Sequence, residues 1–126
     1  MDSRTYIEQA KVTESTDFLP IIERLQQPEL VRILHAAMGV STEAAELLDA
    51  VKKHVYYGKP LDRTNLFEEM GDAFWYLAIL ADTLGVDFDK VMEKNIEKLQ
   101  LRYGSKFSEA RAQKRNLEVE RACLEN

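Results

Sequence analysis

Apolar residues recur along this chain every three or four positions, and no stretch shows sustained alternation of apolar and polar residues with β-branched enrichment. That spacing predicts helices almost throughout. A short first helix is expected from Thr5 to about Glu14. Pro20 and Pro28 punctuate the connector that follows, with a helical turn near Ile21 to Gln26. Pro28 suits the first turn of a long second helix, because its missing N–H is not needed there. That helix is expected from Glu29 to Tyr56, ended by Gly58 with Pro60 two residues on.

Two adjacent stripes on the second helix carry its apolar surface: Leu34, Met38, Ala45, Leu48 and Val55, and beside them Ile33, Ala37, Val40, Ala44, Leu47 and Val51. Together they predict a wide core-facing surface. A third helix should begin after Asn65, which with Glu68 resembles a capping box, and stop at Gly85. Its expected core stripe is Leu66, Met70, Ala73, Leu77, Leu80 and Leu84. Asp87 is the expected N-cap of a fourth helix that reaches Tyr103 and buries Met92, Ile96 and Leu99. The charge-rich tail after Ser108 predicts one or two short helices that cover the bundle or meet a partner. The expected architecture is all-α and four-helix-bundle-like, with short peripheral helices.

Composition narrows the setting. At 126 residues the chain is expected to form one domain. A balance of 17 basic against 22 acidic residues, net −5, argues against a nucleic-acid polymer as partner. The longest apolar run, Ala73 to Ala81, is far short of the roughly 20 residues that cross a bilayer. The start MDSRTYIEQA lacks the apolar stretch of a signal peptide, and the lone cysteine, Cys123, fits a reducing compartment. A cytoplasmic protein without membrane attachment is expected.

The candidate chemistry lies beside the apolar stripes. Glu43 and Glu46 are three residues apart and share a face with Ala36, Gly39, Ala50 and Lys53, small neighbours that leave room for something to approach. Glu69 and Asp72 repeat the spacing on the third helix, and Tyr76 and Ile79 continue their stripe. Like charges repel, and desolvating them is costly. Either these acids remain in solvent or cations neutralise them. Hard divalent ions such as Mg²⁺ take carboxylate, phosphate and water oxygens, and facing bundle helices can supply them. Asn95, Lys98 and Arg102 form a further stripe on the fourth helix. Such groups either stand as solvated charge or bind phosphate oxygens. Acidic ligands beside a basic stripe suggest a metal-bound polyphosphate.

With these residues in place, the sequence resembles the MazG-like, all-α nucleoside triphosphate pyrophosphohydrolases. Their pattern E-x-x-E, spacer, E-x-x-D reads here as Glu43-Ala-Ala-Glu46 and Glu69-Met-Gly-Asp72, with 22 residues between. The context is similar too: LHAAMGVSTEAAELLDAVKK, NLFEEMGDAFWYLAILADTLGV and NIEKLQLRYGSKF. Ala45 stands where many members carry glycine in the first motif. The resemblance covers about Leu34 to Phe107, and the family core is expected over about 28–107 of a single 1–126 domain.

The resemblance implies a MazG-type fold and hydrolysis of a nucleoside triphosphate, ribo or deoxy, to the monophosphate and pyrophosphate. Glu43, Glu46, Glu69 and Asp72 are then the expected ligands of Mg²⁺, with Mn²⁺ as a substitute. Glu46 and Glu69 are the expected catalytic groups, Glu46 being the candidate base. Lys53, Asn95, Lys98 and Arg102 are expected to contact substrate. The family also implies a homodimer or dimer-based tetramer, with active sites near the subunit interface. Related scaffolds hydrolyse dUTP, dCTP-type substrates or phosphoribosyl-ATP, and a catalytically silent oligomerisation module is the reading from another class. Trp75 and Tyr76 are expected in packing or dimer contacts, Asp49 and Glu68 at the solvated surface. His35, His54 and Cys123 receive no role.

Overall fold

The computed structural model describes residues 1–125, and among these the chain forms seven helices and no strand. They are α1 (Ser3–Val12), α2 (Leu19–Leu25), α3 (Pro28–Tyr57), α4 (Arg63–Leu84), α5 (Phe88–Tyr103), α6 (Glu109–Gln113) and α7 (Leu117–Glu125). The expected all-α class stands. Pro28 opens α3 at its first position, and Gly58, at φ 63°, closes it in the left-handed conformation that a residue without Cβ takes at little cost. Asp87 caps α5 as expected. The second element is a helix of seven residues rather than one turn.

The start of α4 departs from the expected capping box. Asp62 is the N-cap, and its carboxylate accepts the backbone N–H of Asn65 at 3.0 Å. Asn65 lies inside the first turn, because the acidic acceptor three residues earlier captures its N–H first. Asn65 is thereby freed for another partner.

The five-residue link Gly58–Asp62 turns the chain back, so α3 and α4 form an antiparallel hairpin with the most extensive packing in the molecule. Its seam is lined differently from the expected core. Ala36, Gly39 and Ala50 of α3, with Glu69 and Ala81 of α4, are the buried residues. Leu34, Met38, Leu48, Val51 and Val55, expected in the core, are exposed, as are Met70 and Leu84 on α4. Ile33, Val40, Leu47, Leu66, Ala73, Leu77 and Leu80 are half-buried along the seam's flanks. Close approach explains the exchange of faces: small side chains let the helix axes come together, and the ring of Tyr76 lies directly over Gly39. The room beside the acids is thus filled by α4. Arg32 and Asp82 pair at 2.7 Å near the far end of the hairpin.

Gly85 ends α4 at φ 63°, and the chain then leaves the hairpin. Helix α5 packs on α7 and, more lightly, on α6; it makes no extended contact with α3 or α4. Met92 and Ile96, expected in the core, are exposed, while Leu99 and Tyr103 are half-buried. The α5–α7 contact is fastened by Glu120, which is only 5% exposed. Arg102 grips its carboxylate through two nitrogens, and Arg115 adds a bond at 2.7 Å. Among the described residues, four-helix packing is therefore not closed within one chain, and the buried hydrophobic side chains are Ala36, Ala50 and Ala81.

Candidate metal centre

The antiparallel register sets Glu43 of α3 opposite the first turns of α4. One carboxylate oxygen each from Glu43, Glu69 and Asp72 lies within 4.8 Å of the others. Glu69 is the buried member, Glu43 is half-buried and Asp72 is exposed, so the cluster runs from the seam to solvent. The i,i+3 spacing of Glu69 and Asp72, close to one full turn, puts both on the face that meets α3. Thr42 shares its hydroxyl between the Gly39 carbonyl, at 2.8 Å, and Glu43 Oε1, at 3.2 Å. Asn65 Nδ2 donates to Glu69 Oε1 at 2.6 Å.

Glu46 lies outside this 4.8 Å cluster as its side chain is placed, but within reach of its field. The charge on Glu69 is the largest of the causes that raise the Glu46 carboxyl above the ordinary value, followed by desolvation. Glu43 is also raised, first by desolvation, then by its hydrogen bond with Glu69 and by the charges of Glu46 and Glu69. Neighbouring negative charge thus leads at Glu46 and burial leads at Glu43. Oxygen ligands at about 2.1 Å from Mg²⁺ stand no more than about 4.2 Å apart, so small side-chain rotations would close this donor set around such an ion. Its chemistry, hard carboxylate oxygens only, fits a hard divalent cation.

The residues expected at substrate are dispersed in the single chain. Lys53 bonds Asp49 at 2.6 Å, with Lys52 on the same carboxylate at 3.0 Å. Lys98 donates to Asn95 Oδ1 at 2.7 Å, and both ride on α5, away from the hairpin. Arg102 is engaged with Glu120. Tyr76 packs edge-on against His35 and Trp75, at 5.7 and 5.0 Å between ring centres. Trp75 is exposed, and so is Glu68, whereas Asp49 is half-buried among its two lysines. Sequence reading missed Asn65 as a partner of Glu69, and Glu120 as the partner of Arg102. The i,i+4 spacing of Asn65 and Glu69 was a usable signal.

Comparison with known sequences decides the family. The MazG nucleotide pyrophosphohydrolase domain matches residues 34–107. The chain belongs to this family. The match contains both acidic pairs and most of α3, all of α4 and all of α5. A relative, Gene 37 protein of Mycobacterium phage L5, is 36% identical over 72 residues, which cover 54% of this chain. The aligned part spans 63% of that relative, less than two thirds of its length. No solved structure matches. Among the described residues, no helix is long and apolar enough to cross a membrane.

Proposed function

We propose that this MazG domain hydrolyses nucleoside triphosphates, ribo or deoxy, to the monophosphate and pyrophosphate, with Mg²⁺ bound by Glu43, Glu69 and Asp72 and by Glu46 after a change of rotamer. The observation that carries the reading is the convergence of three carboxylates from two helices, inside the segment that matches the family. When bound, Mg²⁺ would neutralise the triphosphate and lower the pKa of a coordinated water. Glu69 anchors the site from the buried side of the seam. Glu46, with its raised pKa, is suited to accept a proton from the attacking water. Lys53 releases Asp49 to reach the phosphates.

The basic groups enter from a second copy of the chain in this reading. The chain exposes 10533 Å². A compact monomer of 14.5 kDa is expected to expose roughly 6,900 Å². The excess, roughly 3,600 Å² per chain, is more than the roughly 1,000–2,500 Å² that each partner of an obligate homodimer contributes, so there is surface enough for a dimer or a dimer of dimers. Both the hairpin faces and the α5 stripe are uncovered in each chain, so a two-fold exchange would bury both at once. Such a homodimer, alone or paired into a tetramer, would set Asn95 and Lys98 near the acids, and Arg102 with them if it leaves Glu120. The protein works in a reducing, cytoplasmic compartment as a single domain.

The test is a panel of ribo- and deoxynucleoside triphosphates, with phosphoribosyl-ATP, each supplied with Mg²⁺ or Mn²⁺ and scored for both products. Pyrophosphate and monophosphate should form together, and Glu69→Gln should abolish turnover while the helical circular dichroism persists. No pyrophosphate from any member of the panel would refute the catalytic reading.

A further inference from the structure

Glu69 is 5% exposed, and Asn65, on the same helix, donates a hydrogen bond to its Oε1. Asn65 is one turn earlier on α4 and half-buried. Its position is fixed from two sides. Its backbone N–H is held by the N-cap carboxylate of Asp62 at 3.0 Å, and its Nδ2 contacts Glu69 Oε1 at 2.6 Å. A glutamate side chain has three rotatable bonds, so a carboxylate that must serve in a narrow seam gains from a partner that restricts them. An amide nitrogen suits the task. It donates without carrying charge, so it neither cancels the negative field of the cluster nor competes for a cation.

We infer that Asn65 is a positioning residue of this centre: its amide holds Oε1 of Glu69 and so aims the carboxylate toward Glu43 and Asp72, ready for a divalent ion. The inference rests on reading the acidic cluster as a cation site. Capping and positioning form one linked device. Asp62 sets the first turn of α4, that turn sets Asn65, and Asn65 sets the carboxylate one turn further on. Asn65 touches no reacting atom in this scheme and acts through Glu69.

The full-length chain, stripped of metal with chelator, would be titrated with Mn²⁺ and the free ion followed by electron paramagnetic resonance. Asn65→Ala should weaken Mn²⁺ binding by about 10- to 100-fold, the range for partners that orient metal ligands. Asn65→Ser, whose short side chain is well tolerated near a helix start but does not reach Glu69, should weaken it alike. Under turnover, both variants should raise the Mg²⁺ concentration for half-maximal rate more than they lower the rate at saturating Mg²⁺. Variants that bind Mn²⁺ within twofold of the parent would overturn the positioning role, as would a melting point lowered in chelator with affinity unchanged. The parent chain and Glu69→Gln serve as the separate arm for the underlying reading. If the parent takes up no Mn²⁺, the cation site itself falls; if it binds and Glu69→Gln does not, the site stands and the Asn65 variants alone decide.

Discussion

The ring of Tyr76 occupies the space where a side chain at Gly39 would stand. A methyl group there would overlap three ring atoms. The contact sits four residues from Glu43 on α3 and four from Asp72 on α4, so it fixes the helix separation on which the acidic cluster depends. Gly39→Ala should therefore destabilise the fold by about 1–3 kcal/mol in denaturant titration, the range for overpacking. Tyr76→Leu in the same chain should return part of that loss. An unchanged midpoint in Gly39→Ala would show that the seam is looser than this contact implies.

Stability without metal should depend on pH in two opposed ways. Glu43 and Glu46 are raised above the ordinary carboxyl value of 4.5 by desolvation and by neighbouring acids. Their protonated forms favour the fold, so that contribution is present below 4.5 and is lost as pH rises through the raised values. Glu120 is held at about 2 by Arg102 first and Arg115 second. Its contribution is present above 4.5 and is lost as pH falls toward 2. Melting in chelator should thus be weakened on both sides. Glu43→Gln should flatten the upper limb, and Mg²⁺ at neutral pH should raise the melting point of the parent but not of Glu69→Gln.

Removing the carboxylate at 120 should loosen α7 specifically. Glu120→Gln leaves the guanidinium of Arg102, which is 14% exposed in its side chain, without a counterion. The melting point should fall by several degrees, and amide exchange should accelerate in α5 and α7 more than in α3 and α4. Equal acceleration everywhere would mean that the chain melts as one unit.

The exposed apolar surface predicts an assembly. Sedimentation at micromolar concentration should give at least twice the 14.5 kDa chain mass. Ile96→Glu places a charge in the uncovered α5 stripe and should shift the mass toward monomer, with loss of activity. A parent chain that sediments as a stable monomer would remove the second-copy reading.

Helix number and ends were largely legible from sequence, because Pro28, Gly58, Gly85 and Asp87 act locally on the backbone. The acidic pairs were legible through their spacing, and Glu43, Glu69 and Asp72 converge. Facing was not. Leu34, Leu48 and Met70 mark surfaces that want cover, but hydrophobicity does not say whether the cover comes from the same chain. The intrachain seam went to Ala36, Gly39 and Ala50 because packing distance, not apolar content, selects it. Arg102 is expected at substrate from the sequence, and its pairing with Glu120 is not legible there, because that partner lies 18 residues away in a tail with no periodic signal strong enough to place it.

The Glu120 clasp lies on α7, beyond the matched segment that ends at residue 107, while Arg102 lies within it. A protein trimmed to the matched boundaries would keep the cation and discard its anion. Such a fragment would lose both the clasp and the helix that covers α5, so it should be less stable than the full chain even with every acidic ligand intact, and a minimal piece that keeps this contact must extend past residue 120.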